Sequence, residues 1–217
     1  LSPNVTLPKL RGQPKLHKLT CPLLWSELTF RPIIGGTSSL FSNLSTLLEK
    51  VLRPLSNCVP CRLQDSFEAY TFLHNIDFSK SRVETYDAVS LYTKISLDLA
   101  LKAVSFWTSS KPDMFQERFR NGLFIREAIT MLFSQNYFTF NGNIYLQKDG
   151  LAMGTPCAVS IAELSLGYLE FTNSYNPKIW KRYIDDGLSV QPISNTAAKS
   201  TLVKDLNSLN PSINWTT

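Results

Sequence analysis

Apolar positions along the chain alternate between a helical period and a strand period. From Ser39 to Leu52 they fall at Leu40, Leu44, Leu47, Leu48 and Val51, an amphipathic helix expected to end before Pro54. Leu97, Leu101, Val104 and Trp107 share the face of a second helix, and Leu123 to Gln135 forms a third. A fourth runs from about Val159 to Phe171, and Ala198, Leu202, Leu206 and Leu209 mark a last one. Val83 to Leu91 reads as a buried strand ending in a turn. Tyr137–Phe140 and Asn143–Leu146 flank Asn141-Gly142, the pair most favoured by a two-residue hairpin turn. Ile179 to Val190 reads as a second hairpin centred on Asp185-Asp186-Gly187, and Ile213 to Thr216 as a short closing strand.

The first 36 residues, punctuated by Pro3, Pro8, Pro14, Pro22 and Pro32, can hold short strands and turns but no long helix. From Val83 onward the order is strand, helices, hairpin, helix, hairpin, helix, strand. An antiparallel sheet with helices on one face is the economical packing, an α+β layer related to the split βαβ unit.

Composition narrows the class. The 217 residues are 43% hydrophobic and 18% charged, which excludes a disordered chain, a collagen or a coiled-coil rod. No apolar run approaches the ~18 residues of a membrane-spanning helix, so no membrane partner is expected. Leu1-Ser2-Pro3-Asn4 lacks the basic region and apolar core of a signal peptide, and without an initiator Met it reads as a processed product or an excised fragment.

The net charge is +5, and its placement is uneven. Up to Arg62 eight Lys or Arg stand against Glu27 and Glu49 only, whereas the remainder is nearly neutral. A basic front on a neutral body fits a polyanionic partner, a nucleic acid or a phosphorylated substrate, although a solvated surface has the same composition. Cys58-Val-Pro-Cys61 has zinc-like spacing but no second ligand pair accompanies it, so the cysteines read as reduced thiols.

Three carboxylates carry the chemistry. Asp185-Asp186-Gly187 alone is ordinary turn chemistry. Asp87, at the end of a strand whose neighbours are mostly apolar, needs compensation, and a metal ion is the usual compensation for such a carboxylate. A strand-end Asp together with a hairpin-tip Asp pair is what a two-magnesium phosphoryl-transfer centre requires.

The segments Asp87-Ala-Val-Ser-Leu-Tyr92-Thr, Gln147-Lys-Asp-Gly150-Leu-Ala-Met-Gly154-Thr-Pro156 and Arg182-Tyr-Ile-Asp-Asp186 closely resemble motifs A, B and C of reverse transcriptases. Their wording is similar to the Penelope-like element branch, which is akin to telomerase. Pro14-Lys15-Leu-His-Lys18 and Arg31-Pro-Ile33 resemble that branch's fingers motifs, and Leu206 to Thr216 the segment after its palm hairpin. Five blocks in order cover nearly the whole chain.

The resemblance implies a right-hand polymerase palm with a partial fingers subdomain and no thumb. Fingers would occupy 1–82 and palm 83–217, with part of 97–135 assignable to fingers. It implies an RNA-directed DNA polymerase acting on an RNA template, a DNA primer and dNTPs with Mg2+, or Mn2+ in its place. Asp87 and Asp185 would be the principal metal ligands, aided by the Ala88 carbonyl, with Asp186 in less direct contact. Tyr92 would be the steric gate that excludes a 2′-OH. Lys15 and Arg31 would hold the incoming triphosphate, each contact supplying ~1.5–3 kcal/mol, with Lys18 a secondary candidate. Gln147, Gly150 and Gly154 would lie beside the nascent base pair. A partner would supply thumb or endonuclease function. The location implied is intracellular, the nucleus, with an organelle as the alternative.

Ala158-Val159 and Ala162-Glu163 stand where these elements have Ser-Pro and Ala-Asn, and Lys94-Ile95-Ser96 where they have Asn-Ile-Pro. Two readings compete with an active polymerase. One is a catalytically retired remnant that binds RNA or protein. The other, a template-independent nucleotidyltransferase, would need neither Tyr92 nor motif B.

Overall fold

The apolar stripes of the sequence become helices packed against one of two four-stranded sheets. A computed structural model describes residues 6–16, 28–35, 39–115, 119, 122–194 and 198–217. In chain order the elements begin with β1 (Lys9–Pro14), β2 (Phe30–Gly35), α1 (Ser42–Ser56), α2 (Ser66–His74) and β3 (Ser81–Ala88). Then come α3 (Leu91–Lys94), α4 (Leu97–Ser110), α5 (Leu123–Ser134), β4 (Tyr137–Phe140) and β5 (Asn143–Leu146). The last are α6 (Ala158–Thr172), β6 (Trp180–Tyr183), β7 (Asp186–Pro192), α7 (Ala198–Leu209) and β8 (Trp215–Thr216).

Two helices depart from expectation. α1 does not stop before Pro54 but runs through it to Ser56. Pro54 falls in the last turn, where it removes one donor, and the full burial of Leu48, Leu52 and Leu55 holds the helix in place. Burying Leu55 alone supplies about 1.5–3 kcal/mol. α2 has no buried residue and therefore no apolar stripe to betray it. Capping makes it: Glu68 N–H donates to Asp65 Oδ1 at 2.9 Å, and Glu68 Oε2 accepts from Gln64 N–H at 2.7 Å.

The first sheet, ordered β2-β1-β4-β5, is mixed, since β1 and β4 run parallel. It combines the two short strands of the proline-rich front with the Asn141-Gly142 hairpin. Both turn residues have positive φ, 48° and 80°, as a two-residue turn of this kind requires. Strands from both sides of residue 82 thus share one sheet, and the single sheet expected from the sequence is the other one.

That second sheet, ordered β6-β7-β3-β8, is antiparallel throughout. Glu84, Tyr86, Ala88, Trp180, Arg182, Gly187 and Ser189 form its covered face. Trp180, on the edge strand β6, packs on that face with its ring 5.7 Å from Tyr86, Tyr175 and Trp215. Such aromatic pairs contribute about 0.5–1.5 kcal/mol each beyond area burial. α6, buried along most of its length, packs against α1 and α4. The opposite face of the sheet is open, with Thr85, Asp186 and Tyr183 exposed. β3 is therefore a half-buried strand, and it ends at Ala88 rather than Leu91. No helix among the described residues is long and apolar enough to cross a membrane.

Candidate active site

β3 and β7 pair in a register that sets Asp87 directly opposite Asp186, so the two side chains share the open face. Tyr183 is also paired with Asp186, which makes Ile184-Asp185 the two-residue tip of the β6–β7 hairpin. The expected centre at Asp185-Asp186-Gly187 is thus one position too late. Asp186 has to open β7 because alternation then puts Gly187, where Trp180 packs, on the covered side. The Ala88 N–H donates to the Asp185 carbonyl at 3.0 Å, seating the tip on the end of β3. Ala88 itself is buried and registers with Trp215.

The electrostatics follow from the geometry. Burial, followed by the charges of Asp185 and Asp87, raises the Asp186 carboxyl above its usual range. No ion pair joins any of the three acids to a basic side chain among the described residues. Nor is any group of three Asp, Glu, His or Cys side chains among the described residues placed to hold a metal ion. A paired carboxylate site with open positions is the donor set that suits Mg2+, which uses one or two carboxylates and completes its shell with water and substrate phosphates.

Tyr92 sits on α3, the single turn that follows β3. Its hydroxyl is pushed up to about 12 by burial and then by Asp185, Glu163 and Tyr183. Of the three acids, only Asp185 acts on it. The Tyr92 carbonyl accepts from the Leu151 N–H at 2.7 Å, laying motif B against α3.

The two motif B glycines are needed for contacts within the protein. Gly150 has φ +78°, and a Cβ there would lie 2.5 Å from Thr93 Cα. Gly154 has φ +111°, and its Cβ would lie 2.5 Å from the Ile34 carbonyl oxygen. The close backbone approach at these positions is to α3 and β2. The Ile34 N–H in turn donates to the Met153 carbonyl at 2.7 Å, joining the first sheet to motif B. Gln147 Nε2 donates to the Asp149 carbonyl at 2.8 Å and braces its own loop.

Lys15 and Arg31 stand at the same end of the paired strands β1 and β2. Arg31 pairs with Gln13 in the ladder, and the Lys15 N–H donates to the Thr29 carbonyl at 2.9 Å. Arg31 is exposed and Lys15 half-buried. No hydrogen bond or ion pair among the described residues links either to the carboxylates. Lys18 and Cys21 lie outside the described residues.

Sequence reasoning missed the charged cluster beneath the site. Arg182 has no exposed surface. Its Nε and Nη2 reach the two carboxylate oxygens of Glu170 at 2.6 and 3.0 Å, and its Nη1 donates to the Ile184 carbonyl at 2.8 Å. Burial works to lower the guanidinium pKa, but Glu170 and Glu163 outweigh it and hold it above its usual value. Glu170 Oε1 also accepts from Trp180 Nε1 at 2.9 Å, and Glu163 pairs with Arg62 at 2.6 Å. The signal was present. Arg182 is two residues on from Trp180 in β6 and so shares its covered face, while Glu163 and Glu170 are two turns apart on a helix with no other charge.

No protein-family model matches the chain, and no curated protein matches it. Solved structures do. A telomerase from Candida tropicalis truncated from its C-terminal domain is similar with a TM-score of 0.65 and 15% identity, over 96% of this chain and 47% of that one. The telomerase of the same yeast in complex with the TWJ fragment of telomeric RNA gives 0.67 and 12%, over 98% and 40%. An RNA-dependent RNA polymerase of a human picobirnavirus gives 0.58 and 12%, over 96% and 40%. The chain thus has the α+β, palm-like polymerase fold, and it spans less than half the length of these neighbours.

Proposed function

We propose that this chain is the fingers and palm core of an RNA-directed DNA polymerase of the Penelope-like, retroelement-derived branch. The observation that carries the reading is the placement of Asp87 opposite Asp186, with Asp185 on the adjoining tip. Asp87 and Asp186 lie on the open face of a palm-like sheet, Asp185 sits on the tip beside them, and none of the three has a basic partner among the described residues. A scaffold that only bound RNA or protein would gain nothing from an Asp186 carboxyl made costly to ionise by burial and two neighbouring acids.

Asp87 and Asp185 would hold Mg2+, or Mn2+ in its place, with the Ala88 carbonyl and Asp186 in support. The metal supplies activation of the attacking 3′ oxygen and charge neutralisation at the leaving pyrophosphate. Lys15 and Arg31 bring positive charge from the fingers strands to the triphosphate of an incoming dNTP. Tyr92, beside Asp185, packs beneath the sugar and leaves no room for a 2′-OH. The motif B loop, fixed between α3 and β2 through Gly150 and Gly154, forms the floor for the new base pair, with Gln147 at its start.

In this reading fingers take 1–82 and palm 83–217, and an RNA template with a DNA primer runs along the basic front. Thumb and endonuclease functions come from elsewhere, in a longer product or on a partner, and the work is done in the nucleus.

The test is primer extension on an RNA template with a DNA primer, Mg2+ and dNTPs, comparing the wild type with Asp185→Asn. Extension by the wild type and its loss in the variant support the reading. A folded wild type that binds template-primer but adds no nucleotide would instead make it a retired remnant.

A further inference from the structure

Ile184 is a β-branched residue held at φ +54°, a conformation it avoids unless its surroundings impose it. One of the groups imposing it is identifiable. The Ile184 carbonyl accepts from Arg182 Nη1, and Arg182 cannot move because Glu170 grips the other side of its guanidinium. Its backbone is fixed as well: the Arg182 N–H donates to the Cys61 carbonyl and its carbonyl accepts from the Leu63 N–H, both at 2.7 Å. The anchor is therefore tied to α6 and to the segment after α1, while its free arm reaches the tip that carries Asp185.

We infer that Arg182, braced by Glu170, is a positioning residue that sets the seat of the Ile184-Asp185 tip on β3 and thereby the metal-binding geometry of Asp185 and Asp87. This rests on the polymerase reading for its metal arm only. The tether itself concerns this chain's own backbone. Arg182→Lys preserves the charge but cannot span both Glu170 oxygens and the Ile184 carbonyl, because an ammonium lacks the planar fork.

Two measurements on the protein without nucleic acid test the inference. In Arg182→Lys the Ala88 amide, which seats the tip by donating to Asp185, should exchange with solvent at least tenfold faster, while amides in the middle of the β3–β7 ladder keep their protection. Mn2+ affinity, followed by the paramagnetic signal of the free ion, should fall about tenfold. Ile184→Gly added to Arg182→Lys should recover part of that loss, since glycine adopts φ +54° without a tether.

Glu170→Asp withdraws the brace by one methylene and reads the same tether if Arg182→Lys does not fold. Unchanged Ala88 exchange in a folded variant overturns the inference, as does equal loss of protection throughout the sheet. A wild type that neither binds Mn2+ nor extends a primer would sink the polymerase reading, and Ala88 exchange would still decide the tether.

Discussion

Asp87 and Asp186 face each other across β3 and β7 as register partners, and burial, then the charges of Asp185 and Asp87, make Asp186 costly to ionise. The Asp186 carboxyl sits above its ordinary range, so the folded state holds that proton more tightly than the unfolded chain does. The associated stability is present at acid pH and is lost as pH rises through the raised value. Asp186→Asn should therefore melt a degree or two higher than wild type at pH 7 in chelator, with the gain vanishing at acid pH. Added Mg2+ should raise the wild type more than the variant. A variant that melts lower in chelator would mean that the carboxylates do not repel.

Tyr92 should govern sugar choice separately from catalysis. Replacing it with Ala should raise ribonucleotide incorporation relative to deoxynucleotide incorporation by about a hundredfold, the scale set by a ~1 Å misplacement of reacting atoms. Single-nucleotide extension with dNTP and rNTP in parallel reads the ratio. If both rates fall together, Tyr92 acts only through packing.

Gly154 offers a test of the junction between the sheets. A Cβ there meets the Ile34 carbonyl at 2.5 Å and requires alanine at φ +111°. Gly154→Ala should cost about 3 kcal/mol, roughly 6–12 °C in Tm. Denaturant unfolding would show it, and a change below 1 kcal/mol would mean that β2 and motif B separate freely.

Alkaline pH should weaken the fold through its buried thiols and a buried tyrosine rather than through the carboxylates. Burial, assisted by Glu170, pushes the Cys61 thiol up to about 12, and burial with Glu49 does the same at Cys157. Burial likewise moves Tyr86 up to about 12. The unfolded chain loses these protons near pH 9 to 10 while the folded protein keeps them, so stability falls as pH rises from there towards 12. Each such group adds at most ~1.4 kcal/mol per pH unit to the slope. Urea unfolding between pH 8 and 11 should show the decline, and half-buried Cys58 should alkylate well before Cys61 or Cys157. Constant stability to pH 11 would contradict the burial of these groups.

Much of this architecture could be read from periodicity. The helices at Leu97 and Val159 carry long apolar stripes, and Asn141-Gly142 allows few turns, so local chemistry and tertiary packing agree there. α2 was illegible to that method because capping, rather than a buried face, makes it. The first sheet was hidden for another reason: β1 meets β4 through one parallel pair, Lys9 with Thr139, and no local pattern encodes a contact across 130 residues. At the site, the acids were legible because unpaired carboxylates among apolar neighbours are conspicuous. Arg182 and Glu170 satisfy each other, and a satisfied pair shows in a sequence only once two elements are known to touch.

β8 has a bearing on how the protein comes into being. Trp215 pairs with Ala88, and the Asn214 carbonyl accepts from the Val89 N–H at 2.8 Å, so the strand that carries Asp87 is completed by residues translated long after it. At about 5–20 residues per second the ribosome needs on the order of ten seconds to travel from β3 to β8. Closing so long a loop is also entropically slow compared with folding any of the intervening helices. During that interval β3 waits as a nascent strand with both edges open, and the charge of Asp87 at its end discourages pairing with a neighbouring nascent chain. The acid that the finished protein sets opposite Asp186 would thus already guard the growing chain against aggregation.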